Sequence, residues 1–301
     1  MKKQMEIHKL SMSQLLTGIF EPMSQAELCG DTTFREIASE SIIDGNSDIV
    51  VMPALLSMLY DTVKEIKPYN HDFEGFRFYN IEKQNVRNSI VSQIKAHQLC
   101  VSRIDFNDAV DPLFALFSQM HKHKGSKEER AWYRMLADAV GQFRIACLCN
   151  CCDKKAKESI ENQLMWAHYA NSHKGICVKY HLPMDIQFID DNIKELCVLK
   201  PLIYKDKKTK VDDITLEDAF FLKSTQWAYE DEYRLLYFSA SLSQDYHPIN
   251  GVEIEGVYLG AKIRPSDRSF ILQELQDSGF PVYQMKYNRD NVLRISPERT
   301  K

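Results

Sequence analysis

The stretch Gln163-Leu-Met-Trp-Ala-His-Tyr-Ala-Asn-Ser-His-Lys-Gly175 constrains this chain more than any other. Met165, Trp166, His168, Tyr169 and His173 crowd into it, and it closes on a glycine. A helix over residues 159–170 that leaves through residues 172–175 accounts for the pattern, because glycine supplies the backbone freedom a helix exit needs. Ile176-Cys-Val-Lys-Tyr180 then reads as a strand. Its counterpart is Trp227-Ala-Tyr-Glu-Asp-Glu-Tyr-Arg234. From Trp227 through Phe238 the residues alternate. Trp227, Tyr229, Tyr233, Leu235 and Tyr237 take one face; Glu230, Glu232 and Arg234 take the other. A strand beginning at Trp227 is therefore expected, with a packed aromatic face and a face that begins charged.

The other segments mix strands and helices without a regular βαβα rhythm. Short strands are expected at Phe76-Arg-Phe-Tyr79, residues 99–102, 144–149, 256–260 and 281–287. Helices are expected over 81–96, 111–120 and 128–143, and from a cap at Ser266 or Asp267 to about 277, where Gly279 stops it. Thr215-Leu-Glu-Asp218 resembles an N-terminal capping pattern and opens a helix through Phe220, Phe221 and Leu222. The expected fold class is α+β, a mixed or antiparallel central sheet flanked by helices. Residues 1–70 are expected to form a helical N-terminal extension, with residues 71–301 as the main domain. Behind Pro53, Leu55, Leu56, Leu59, Tyr60, Val63 and Ile66 recur at helical spacing. That face covers the main domain or serves a partner.

Composition matters here for what it excludes. The chain has 301 residues, a net charge of -4 and 44% hydrophobic residues. Such a chain can bury a sizeable core, and it has no whole-chain drive toward nucleic acid or anionic membrane. No apolar run approaches the roughly 20 residues that span a bilayer, so no membrane partner is expected. The N-terminus lacks the apolar core of an export signal, which makes the cytoplasm the expected location. The eight cysteines are then expected to stay reduced. Cys147, Cys149, Cys151 and Cys152 crowd together, but not as the paired C-x-x-C knuckles of a zinc site. The basic loop His121-Lys-His-Lys-Gly-Ser-Lys127 leaves nucleic-acid contact open.

Two glutamates on one strand face repel each other unless a positive group joins them. Arg234, Arg77 or a substrate can supply it. The pair is then either a surface salt-bridge ladder or a carboxylate pair in a cleft, able to take a proton or stabilise positive charge. Either His168 bonds a buried polar group while Trp166 and Tyr169 pack the core, or the three line a pocket whose aromatic walls stack on a flat ring. His168 beside Cys147 or Cys149 allows a thiol nucleophile. Asn107 and Asp108 read first as a turn or helix cap.

Taken in order, these residues resemble a family. Phe76-Arg-Phe-Tyr79, Phe106-Asn-Asp108 with Asp111, Cys147-Leu-Cys149, Met165-Trp-Ala-His-Tyr-Ala170, His173-Lys-Gly175, Trp227-Ala-Tyr-Glu230 with Glu232 and Arg234, and Val257-Tyr-Leu-Gly260 carry the likeness. They resemble the bacterial family labelled domain of unknown function 2971, over residues 74–263. That family usually has Ser where Cys149 stands and Pro where Ala109 stands. More distantly, the order resembles ADP-ribosyltransferases with an early Arg, a Ser-bearing strand and a later Glu-x-Glu. The resemblance implies NAD as cofactor and ADP-ribosyl transfer or NAD cleavage, in a toxin or defence effector acting on a macromolecular acceptor. It implies Glu232 at the ribose, Glu230 at the acceptor and Arg77 at the phosphates. Catalytic candidates are thus Glu232, Glu230 and His168; Arg77, Tyr79, Asn107, Asp108, Trp166, Tyr169 and Arg234 are candidates for holding a nucleotide or dinucleotide. The alternatives are a non-catalytic nucleotide-sensing or protein-interaction domain, and a nucleic-acid-processing protein.

Overall fold

The computed structural model describes residues 47–104, 127–151, 159–206, 215–239, 244–288 and 295–300. The expectations for Asn107, Asp108, the helix over 111–120 and the basic loop before Lys127 lie outside these residues. So do most of the charged segment after Lys205 and the chain before Ser47.

The chain enters on helix α1 (Ser47–Val63) and strand β1 (Phe73–Tyr79). Then come α2 (Gln84–Lys95), β2 (Leu99–Arg103), α3 (Lys127–Val140), β3 (Phe143–Asn150), α4 (Gln163–Tyr169) and β4 (Ile176–Leu182). Next are β5 (Phe188–Asp190), β6 (Glu195–Pro201), β7 (Ile203–Lys205), α5 (Leu216–Phe221), β8 (Leu222–Ser224) and β9 (Glu232–Ser239). The last elements are β10 (Tyr246–Ile249), β11 (Glu253–Leu259), α6 (Pro265–Glu274), β12 (Val282–Tyr287) and β13 (Ile295–Arg299). Eleven of the strands make one sheet in the order β13-β12-β11-β4-β1-β3-β9-β6-β5, with β2 and β10 joined through β3. Its pairs are antiparallel except β11 with β12, so the expected α+β fold with a mixed sheet is what forms.

The sheet splits at β3. One edge of β3 pairs with β9 from Phe143 through Cys149. The other edge is shared: Asn150 and Cys149 pair with β1, and Ile145 and Arg144 pair with β2. Between those pairs, Ala146, Cys147 and Leu148 have no strand partner on that edge among the described residues.

Two apolar clusters occupy opposite ends of the sheet face that carries Cys147. At one end, Phe143 and Phe238 meet Phe220, with ring centroids 4.6 Å apart in both the Phe143–Phe220 and the Phe143–Phe238 pairs. Leu55, Leu59, Tyr60 and Val63 of α1 pack into this cluster, so the helix shares its core with the sheet. Each such side chain contributes roughly 1.5–3 kcal/mol by leaving water. At the other end, Phe76, Phe78, Met165 and Trp166 form a smaller cluster.

Three local expectations are corrected. The strand expected from Trp227 begins at Glu232. Thr225–Glu230 is a 3-10 turn, and Asp231 reverses it in the left-handed region at φ 43°. The helix expected over 159–170 is interrupted at Asn162, whose side chain accepts from the Leu164 amide at 3.0 Å and starts α4 afresh. Helix α6 is entered from Arg264 rather than capped by Ser266 or Asp267, because Asp267 is buried in a contact with Arg87 of α2. The exit after α4 is tight: Asn171, Ser172 and His173 all have positive φ. Gly175 then passes so close to β1 that a Cβ there would lie 2.0 Å from the Tyr79 carbonyl oxygen.

Candidate active site

Between the two apolar clusters, at the split in the sheet, lies a cavity of about 280 Å³. Phe76, Arg77 and Phe78 of β1, Cys147 and Cys149 of β3, and Met165 and Tyr169 of α4 border it. So do Lys223 of β8, Glu230 from the 3-10 turn, and Glu232 and Arg234 of β9.

The charged wall is a chain of contacts. Lys223 Nζ donates to Glu232 Oε2 at 2.9 Å and also contacts Glu230 Oε2. Arg234 Nε donates to Glu232 Oε1 at 2.9 Å, and its Nη1 donates to the Phe220 carbonyl at 2.8 Å. The Tyr169 hydroxyl donates to Glu230 Oε1 at 2.7 Å. Tyr204 on β7 accepts the Glu232 backbone amide at 3.0 Å, and the parallel pairing of β7 with β8 sets Tyr204 opposite Lys223. All four charged residues are buried. Charges of this kind persist inside a fold only when paired and hydrogen-bonded.

The two glutamates differ. Burial raises the Glu230 carboxyl above its ordinary range, and Lys223 and Tyr169 only partly offset it. Burial pushes Glu232 the same way, but Arg234 and then Lys223 overcome it and bring it from 4.5 down to about 2. The Cys147 thiol, which is open to the cavity, also bonds Glu232; burial and that carboxylate push its pKa up. It stays a thiol at neutral pH and is a poor nucleophile.

Among the described residues Arg77 has no carboxylate partner. Its Nη1 donates across the split to the Cys100 carbonyl at 2.6 Å, and its guanidinium lies 5.2 Å from the centre of the Tyr79 ring. Arg103 also borders the cavity, but its charge faces Asp245 at 3.7 Å. Lys223 and Arg234 balance the two glutamates; Arg77 leaves β1 on the same face as Tyr79, and its guanidinium lies in the split beside Cys100, at the border of the cavity and away from the glutamates.

Of the residues singled out from sequence, Glu230, Glu232, Arg234, Arg77 and Tyr169 meet at this cavity. Trp166 stands behind Met165, wholly buried, with Nε1 donating to the Ile160 carbonyl at 2.7 Å. Tyr79 lies on the far face of β1, its hydroxyl 2.7 Å from that of Tyr180. His168 lies outside the cavity, edge-on to Trp227 with ring centroids 5.7 Å apart, and so does not pair with Cys147. Lys223 escaped the sequence reading. The signal was a lysine directly after Phe220, Phe221 and Leu222, since a lysine in an apolar run calls for a buried carboxylate.

A family model described as "Protein of unknown function (DUF2971)" matches residues 165–235. That segment runs from α4 to β9 and contains Tyr169, Lys223, Glu230, Glu232 and Arg234. No curated protein and no solved structure matches the chain.

Proposed function

We propose that this cavity binds an anionic nucleotide and cleaves the bond between nicotinamide and ribose in NAD, passing ADP-ribose to water or to a nucleophilic acceptor. The observation that supports this most is the buried chain Glu230–Lys223–Glu232–Arg234 on the wall of the cavity. In the reaction the bond's electron pair leaves with nicotinamide, and positive charge develops at the ribose. Glu232, held ionised, stabilises that charge more than the ground state. Glu230, with its raised proton affinity, takes the proton from the acceptor. Arg77 offers its remaining donors to a phosphate. The volume suits the reacting end of a dinucleotide rather than all of it.

Incubation with NAD tests this by nicotinamide release. Wild-type protein is expected to release it. Glu232→Gln is expected to cut turnover by about a hundredfold while NAD affinity stays within a few-fold. A protein that neither binds nor consumes NAD overturns the reading. A second reading, nucleotide binding without chemistry, is favoured by one feature: both Glu232 oxygens are already taken, by Arg234 and Lys223. Calorimetric binding of NAD without nicotinamide release supports that alternative.

A further inference from the structure

We propose that the two buried glutamates take a proton in a fixed order, Glu230 before Glu232, because Arg234 serves Glu232 alone while Lys223, a positioning residue, is divided between them; Glu230 is then the one left to exchange protons with the ligand. This rests on the reading of the cavity as a reaction site, and it deepens that reading by naming what separates two otherwise similar carboxylates.

The two carboxylates meet different sets of groups. Glu232 faces two cations, with Arg234 on Oε1 and Lys223 on Oε2, and the Cys147 thiol also bonds it. Among the described residues, Glu230 shares Lys223 and otherwise takes its hydrogen bond from the neutral Tyr169 hydroxyl. From β3, Cys149 adds a second thiol; from β7, Tyr204 adds a hydroxyl, and from the 3-10 turn Tyr229 adds another beside Glu230; Arg77 of β1 and Arg103 of β2 are the other charges that border the cavity. One ammonium is thus divided between two carboxylates, and only one of them has a second cation. When the cluster gains a proton, Glu230 is where it costs least, because Lys223 then serves Glu232 undivided. Lys223 is fixed for this task. It is buried, β7 pairs with its strand, and its Nζ lies 5.3 Å from the centre of the Trp227 ring, which shields one side from water. A lysine near the pair only by accident of packing would need neither both carboxylates nor the ring.

The test is a pH titration of the full chain carrying side-chain carboxyl-labelled glutamate, followed by NMR, with Glu230→Gln assigning the signal. In wild type, one buried glutamate is expected to titrate above the ordinary range, and that signal is expected to vanish in Glu230→Gln. Lys223→Gln is expected to raise the Glu230 midpoint by about one pH unit or more. A folded Lys223→Gln protein with an unmoved midpoint overturns the proposal, as does a raised signal that survives Glu230→Gln. If Lys223→Gln does not fold, the double variant Lys223→Gln, Glu230→Gln removes one charge of each sign and is expected to fold. Its failure, with Glu230→Gln alone folded, also overturns the proposal. The titration uses no NAD, so its outcome and that of nicotinamide release are independent.

Discussion

Among the described residues two lysines each join two glutamates, and one of them, Lys223, borders the cavity of the candidate site. Lys179 on β4 reaches Glu74 of β1 at 2.6 Å and also contacts Glu255 of β11. Lys223 joins Glu230 and Glu232. The side chains of the first trio are 20%, 38% and 32% exposed; those of the second are 6%, 2% and 4%. In the first, water shares the charges, and the trio is a cross-strand ladder whose third member is turned in by the bulge between Ile254 and Gly256. In the second, the partners come from a strand, a turn and another strand, and nothing but protein and the cavity surrounds them. The same three charges are a surface feature in one place and a reactive arrangement in the other; burial makes the difference.

The largest expected effect comes from breaking the buried trio. Lys223→Met leaves two buried carboxylates with Arg234 alone and is expected to cost about 3–5 kcal/mol of stability. Denaturant unfolding checks this. A loss below about 1 kcal/mol would make the two trios equivalent and end the comparison.

The next effect is in acid. Glu232 has a folded pKa below its unfolded one, so its stabilisation is complete above 4.5 and is lost as pH falls from there toward about 2. Glu230 has the opposite sign: its raised pKa means its contribution weakens as pH rises through the folded value. Stability measured by denaturant from neutral pH into acid is expected to fall through the Glu232 window, and less steeply in Glu232→Gln. An unchanged slope in that variant would place the acid sensitivity elsewhere.

The contrast also shows what the sequence made legible. Alternation located β9 and put Glu232 and Arg234 on one face, because strand side chains repeat every two residues. It failed over 227–230. A short 3-10 turn followed by one left-handed residue leaves the same spacing of aromatic and charged positions, and Asp231 tolerates that conformation. The helix, glycine exit and strand around Gly175 were readable because the backbone there admits no Cβ. Strand β6, Glu195-Leu-Cys-Val-Leu-Lys-Pro201, was not, since a strand buried on both faces shows no alternation. Lys223 was hidden for a different reason: its partners lie across a turn, and only the tertiary fold brings its strand against β7.

A smaller effect tests the wall of the cavity. Cys147 is open to the cavity, yet burial and Glu232 hold its thiol protonated. Alkylation followed by mass mapping is expected to be slow at neutral pH. It is expected to quicken several-fold in Glu232→Gln, where the repulsion of the thiolate is gone. Fast wild-type labelling at Cys147 would mean that the carboxylate does not control it.

The smallest effect belongs to the exposed trio. Lys179→Met removes the shared cation from Glu74 and Glu255, as Lys223→Met does from its own pair. Here both carboxylates keep access to water, so the repulsion between them is screened and their solvation is retained. The side chain's stem also lies along the sheet, and methionine keeps that apolar contact. The expected loss is under about 1 kcal/mol, and it should shrink further in added salt. A loss comparable to that of Lys223→Met, insensitive to salt, would show that Lys179 holds strands β1, β4 and β11 together and that exposure does not separate the two trios.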